Sequence, residues 1–184
     1  MPLTTDFLNN PVAFMSNRAI LIPNGVTPRN GRFEFTAQGD AAALLRSAPQ
    51  QGVAGYYVHP VADSPNQYAL PTQQAAPYFM FTDQMNGCQF IAYGPDRHHV
   101  TVEHNNYIGD PGNYAQQLAA VRADGPAYVF SLTAADANAA DIAGGTYNRL
   151  QGVNVVGQYS PQAGWRFFVR DAAGHNRGQV YGPM

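Results

Sequence analysis

The chain has a single cysteine, Cys88, followed within one turn and one strand by three imidazoles, His98, His99 and His104. A thiol and an imidazole make a nucleophile and base pair. A free thiol has a pKa of about 8.5 and is mostly protonated at neutral pH. A neighbouring imidazole takes that proton as sulfur attacks a carbonyl carbon, then returns it to a leaving amine. Cys88 follows the tight-turn pair Asn86-Gly87 and precedes the apolar run Phe90-Ile91-Ala92. This puts the sulfur at the mouth of a strand, where its backbone N–H is expected to be free for an oxyanion. Gly87 leaves the approach open. A buried free cysteine is also a common inert core residue, so the position fits a structural role as well.

Register decides which imidazole meets the thiol. Gly94-Pro95 marks a turn, and His99-Val100-Thr101-Val102 alternates as a strand should. A simple hairpin over Gly94 to Arg97 pairs Tyr93 with His98 and Cys88 with Glu103. His99 then shares the face of Cys88 but lies opposite Ala92, about 13 Å along the strand. His98 and His104 fall on the other face. A working Cys88–His99 pair therefore needs a bulge or another register. His99 is the first candidate, with His98 and His104 as alternatives.

Other chemistries fit less well. Cys88 is the one thiolate available and no second ligand pair has zinc spacing, so no metal or other cofactor is expected. The net charge of −2 lacks the basic surface that nucleic-acid binding needs. No stretch has the length of a membrane-spanning helix, so no membrane partner is expected. One cysteine makes no internal disulfide. Residues 1 to 11 lack a basic segment followed by an apolar one, so export would use a route that does not read such a signal. All ten basic residues are arginine. A GC-rich coding sequence explains this. So does a working life in a eukaryotic cytosol, where lysines accept ubiquitin.

The elements that must position these residues are mostly short strands. Arg18–Pro23, Arg32–Ala37, Gly52–His59, Tyr78–Thr82, Cys88–Tyr93, His99–His104, Ala127–Leu132, Val153–Tyr159, Trp165–Arg170 and Gln179–Tyr181 read as strand, separated by turn pairs such as Asn24-Gly25 and Asn30-Gly31. Asn113–Asp124 reads as a helix, with Tyr114, Leu118 and Val121 on one face and Gly125-Pro126 as its stop. Two further helices are expected: Asp40–Ser47, capped by Asp40, and Thr133–Gly144, opened by Thr133 and Asp136 as a capping box. The fold class is α+β: a central β-sandwich or mixed sheet of many short strands flanked by a few helices. Eleven Tyr and ten Phe supply a core large enough for one domain over residues 1–184.

The stretch from Tyr78 to His104 resembles the active-site segment of the cytotoxic necrotizing factor-type glutamine deamidases, in particular their small free-standing members. That family carries Leu-Ser-Gly-Cys after an apolar strand ending in Phe-Thr, with a His about a dozen residues beyond. Here Gly87-Cys88 and Phe81-Thr82 match, Met85-Asn86 replace Leu-Ser, and His99 matches the histidine. The resemblance implies a catalytic Cys88 and His99, with the backbone carbonyl of Thr82 orienting the imidazole. It implies deamidation of a glutamine in a host protein through a thioester, by a bacterial effector or toxin secreted or translocated into a host cell. A monomer is expected. The alternatives are a cysteine peptidase or transglutaminase with the same pair, or a non-enzymatic β-rich binding protein with a buried cysteine.

Other residues have simpler readings. Asp136 and Asp141 could orient an imidazole, but capping and solvation account for them. Tyr56-Tyr57 and the run Trp165 to Phe168 read as sheet packing. Pro60 to Pro77 reads as a long loop that could shape a substrate entrance.

Overall fold

The computed structural model describes residues 2–23, 30–48, 50–62, 66–72, 77–107, 110, 112–135, 141–172 and 178–184. Two short helices open the chain, α1 (Pro2–Asn9) and α2 (Pro11–Asn17). Neither is among the helices expected from the sequence. Their signal is local: the Asn10 side chain accepts the N–H of Ala13 and Pro11 takes the first helical position, the usual residue types there.

The first strands are β1 (Ala19–Leu21), β2 (Asn30–Ala37), β3 (Ala42–Ser47), β4 (Val53–Val58), β5 (Val61–Ala62), β6 (Gln67–Ala69) and β7 (Tyr78–Thr82). Then come β8 (Gln89–Gly94), β9 (Thr101–Asn106), helix α3 (Gly112–Ala123), β10 (Tyr128–Ala135), β11 (Thr146–Asn148), β12 (Val153–Ser160), β13 (Gly164–Asp171) and β14 (Val180–Tyr181). They form two mixed sheets. One runs β1-β3-β2-β4-β7-β12-β13-β14; the other runs β11-β10-β8-β9-β5, with β6 also on β9. The expected α+β class, with mixed sheets of many short strands and a few helices, is the observed one.

Two expected helices are replaced. Ala42–Ser47 is a strand, paired parallel to β1 and antiparallel to β2. Six residues are too few to hold a helix by propensity alone. Alternating burial of Ala43 and Leu45 under an aromatic layer favours the extended form. Thr133 to Ala135 extend β10, and Asp141 to Gly144 form turns. Asp136 lies outside the described residues, as does the turn pair Asn24-Gly25. Asn30-Gly31, expected as a turn, starts β2.

Strand β7 explains how the layers stack. All five of its residues are buried. Phe79 and Phe81 point to one side, where Phe7, Phe14, Phe33 and Phe35 form a cluster under α1 and α2. Tyr78 and Met80 point to the other, into the core between the sheets, with Phe90, Val102, Trp165 and Phe167. Strands buried on both faces lose the polar alternation of a surface strand. The outer face of the second sheet is covered by α3 through a polar seam. Buried Glu103 accepts hydrogen bonds from Gln117, Gln67, Asn105 and Tyr93, at 2.9–3.1 Å.

Candidate active site

Cys88 lies one residue before β8, after a turn that begins when Met85 exchanges two backbone hydrogen bonds with Val153 of β12. Gly87 has φ 119°, a conformation that L side chains rarely adopt. Two tyrosines hold the turn. Tyr147 Oη accepts the N–H of Gly87 at 2.9 Å and donates to the carbonyl of Cys88 at 2.8 Å, while Tyr114 Oη donates to the carbonyl of Gly87. The Gly87 amide is thus engaged by a hydroxyl and is not a free oxyanion donor.

The β8–β9 ladder pairs Tyr93 with Thr101, Phe90 with His104 and Gln89 with Asn105. This is three residues away from the simple-hairpin register. An odd shift exchanges the faces of a strand, so His104 joins the face of Phe90 and Cys88 and His99 leaves it. The cause is in the connection. Asp96 Oδ1 accepts the N–H groups of His98 and His99, at 2.7 and 2.9 Å, which makes a wider loop than a two-residue turn. The loop is also tied to β13, where the N–H of Trp165 donates to the carbonyl of Arg97 at 2.7 Å. At its neck, Gly94 approaches the His99 carbonyl so closely that a Cβ would sit 1.9 Å from the oxygen.

The structure does not bring His99 to Cys88. His99 is exposed at the loop tip with its Nδ1 3.0 Å from Asp96, and seven positions of strand, roughly 20 Å, separate it from the thiol. His98 is also at the tip, edge-on to Tyr159. Thr82 is buried, and its hydroxyl is spent on β12, accepting from the N–H of Val155 at 3.0 Å. Asp141 lies in the turn before β11, its N–H on Thr146 Oγ1.

His104 is the imidazole that the register sets on the inner face, opposite Phe90 and two residues along from Cys88. It is fully buried. Its Nδ1 lies 3.3 Å from the carbonyl of Val58 in β4 and must donate to it. Its Nε2 is buried with no partner among the described residues. Val58 and Thr82 are register partners in the parallel pair β4–β7. The carbonyl that orients the imidazole therefore comes from the neighbour of the expected residue.

No family model matches this chain, and a search of curated proteins returns no match.

Burial favours the neutral form of both Cys88 and His104. Burial pushes the Cys88 thiol up from 9.0 to about 11; the Asn86 backbone N–H opposes this and the nearby Asp83 carboxylate adds to it. Burial also takes His104 down from 6.5 to about 4, against the Val58 carbonyl and Asp83, which favour its protonated form. At pH 7 the imidazole is unprotonated and able to accept a proton. Cys88 is 7 % exposed.

Asp83 marks a second group of residues that the sequence reading left out. Its Oδ2 accepts a hydrogen bond from Tyr57 Oη at 2.7 Å and lies 3.1 Å from Nδ1 of His59. Tyr57, read as packing, contributes its hydroxyl here. On the far side of the turn, Asn86, Gly87, Gln89, Tyr114, Arg149 and Leu150 line part of a cavity of about 810 Å³. Among the described residues no three His, Cys, Asp or Glu side chains gather as a metal site, and no helix is long and apolar enough to cross a membrane.

Proposed function

We propose that this protein is a cysteine-dependent amide hydrolase that deamidates a glutamine side chain of a host protein, as a bacterial effector or toxin does. The observation that carries the reading is the register that sets His104 opposite Phe90, two residues from Cys88 on the inner face, with the imidazole held from behind by Val58 and its Nε2 unpartnered among the described residues. A buried imidazole with one nitrogen anchored and the other open is arranged to take a proton from a neighbouring thiol. The resemblance of Tyr78–His104 to the glutamine deamidases supplies the substrate class, and His104 takes the role there expected of His99.

In this reaction the sulfur of Cys88 attacks the carboxamide carbon as its proton passes to His104 Nε2. The amide leaves as ammonia, and water hydrolyses the thioester to a glutamate side chain. Because thiol and imidazole are both neutral at rest, proton transfer accompanies attack. The arginine-only basic set agrees with a working life in a host cytosol.

A second reading has its own support. With 7 % exposure and a thiol pushed up to about 11, Cys88 also fits a core residue of a β-rich binding protein. Reaction with p-nitrophenyl acetate separates the two. The enzyme reading expects a burst of p-nitrophenolate, one per chain, lost in Cys88→Ser and in His104→Gln. The binding reading expects no burst above that of Cys88→Ser. Conversion of glutamine to glutamate in a eukaryotic cytosolic extract, dependent on Cys88, then tests the substrate class.

A further inference from the structure

The segment after Val58 passes from the first sheet to the second, where Val61 pairs with Asn105 beside His104. The two imidazoles at this crossing differ in setting. His104 is sealed inside. His59, one residue beyond the carbonyl that holds it, has a side chain 56 % exposed and Asp83 one 25 % exposed. Because β4 and β7 run parallel with Val58 beside Thr82, His59 and Asp83 leave the sheet side by side, and the chain from Asp83 leads directly to the Cys88 turn. Tyr57 Oη, His59 Nδ1 and Asp83 Oδ2 lie within 3.1 Å of one another. The carboxylate accepts from both partners, so the Nδ1–H of His59 points at Asp83 and Nδ1 is engaged, leaving Nε2 as the nitrogen of this exposed ring available for proton transfer. A carboxylate that fixes the tautomer and orients a working imidazole in this way is the arrangement of acyl-transfer sites. The two groups are also within electrostatic reach of the inner pair: after burial and the Val58 carbonyl, Asp83 and His59 are the charges that act on His104, and Asp83 also acts on Cys88.

We propose that His59, backed by Asp83 and Tyr57, is the second acid–base group of the site, meeting the substrate from the solvent side while His104 serves the thiol. The inference rests on the amide-hydrolase reading. In acylation the S–H proton goes to His104, the C–S bond forms, and the C–N bond breaks as protonated His59 gives its Nε2 proton to the departing nitrogen, which leaves as ammonia. In deacylation neutral His59 takes a proton from water as its oxygen attacks the thioester carbon. The C–S bond breaks and the thiolate recovers its proton from His104. The sum is amide plus water to carboxylic acid plus ammonia, with both imidazoles restored.

The test uses p-nitrophenyl acetate, whose leaving group departs without a proton donor. In His59→Gln the burst of p-nitrophenolate is expected at full amplitude and rate, while steady-state turnover falls by about 10²-fold or more and its pH dependence is lost. Asp83→Asn is expected to show a smaller fall of the same kind. A His59→Gln protein with an intact burst and wild-type turnover at every pH overturns this inference and leaves the enzyme reading standing. A wild-type protein with no Cys88-dependent burst overturns the enzyme reading and this inference with it. The exposed site of His59 makes a folding defect measurable apart from chemistry, by comparing thermal melts of the variants.

Discussion

The carbonyl of Val58 and Nδ1 of His104 lie 3.3 Å apart and join the two sheets. Val58 belongs to β4 of one sheet and His104 to β9 of the other, and the contact fixes which nitrogen of the buried ring is anchored and which is left unpartnered among the described residues. Tautomer and orientation are thus set by the sandwich, and the site is rigid to the extent that the sandwich is.

Removal of the two candidate imidazoles should have opposite outcomes. His104→Gln is expected to lower Cys88 acylation by about 10²- to 10⁴-fold, the range for loss of a general base. His99→Ala should leave it within about twofold, because that ring faces solvent beside Asp96. Stopped-flow burst rates with p-nitrophenyl acetate make the comparison, and equal losses in both variants would sink the assignment of His104.

The pH profile of the thiol should be displaced upward. With Cys88 pushed to about 11, iodoacetamide labelling of the native protein should keep rising beyond pH 9 instead of levelling off near 8.5, the usual value for a free thiol. Asp83→Asn removes one of the groups that raise it, so the midpoint should move down. Labelling that levels off below pH 8 would mean a thiolate–imidazolium pair at rest, contrary to the neutral pair described above.

Stability should depend on pH through His104. Its folded value is near 4 against 6.5 for the ordinary side chain, so the unfolded chain binds the extra proton between those values. Its contribution is fully present above about pH 6.5, declines as pH falls toward 4 and is then lost, an effect on the order of 3 kcal/mol. Urea melts from pH 4 to 7 should show this slope reduced in His104→Gln, and an unchanged slope would count against a buried neutral imidazole.

The β8–β9 register should fail at its neck. Gly94→Ala puts a Cβ 1.9 Å from the His99 carbonyl oxygen, so backbone must shift. A loss of roughly 2–4 kcal/mol is expected, accompanied by loss of acylation, since the same register sets His104 on the inner face two residues from Cys88. A variant that keeps wild-type stability would show that the connection is looser than described.

The turn before Cys88 should depend on Tyr147. Tyr147→Phe leaves the Gly87 N–H and the Cys88 carbonyl without their partner, at a cost of about 1–3 kcal/mol for buried polar groups. Denaturant midpoints measure this, and a shift near zero would mean that water replaces the hydroxyl.

Several features were legible from residue order because their causes are local. The single thiol after Asn86-Gly87, the apolar runs of β7 and β8, and helix α3 stopped by Gly125-Pro126 all follow from composition, turn chemistry and periodicity within a few residues. The two-sheet α+β class follows from the same short strands. Ala42–Ser47 was not legible, because its helix-forming residues are overruled by pairing with β2 on one side and β1 on the other.

Which imidazole lies on the inner face with Cys88 was decided by tertiary structure alone. Face along a strand alternates with every residue, so an odd change in register exchanges His99 for His104. That register is set by the Asp96 side chain folding back on its loop and by a hydrogen bond from Trp165, nearly seventy residues beyond Arg97. The orienting carbonyl and the His59–Asp83 pair arise from β4 lying parallel to β7, a pairing that no local pattern encodes. By itself the sequence determined that a thiol stands at a strand mouth with imidazoles following; the packing of the sheets chose which imidazole is buried on the inner face, which of its nitrogens is anchored, and what stands behind it.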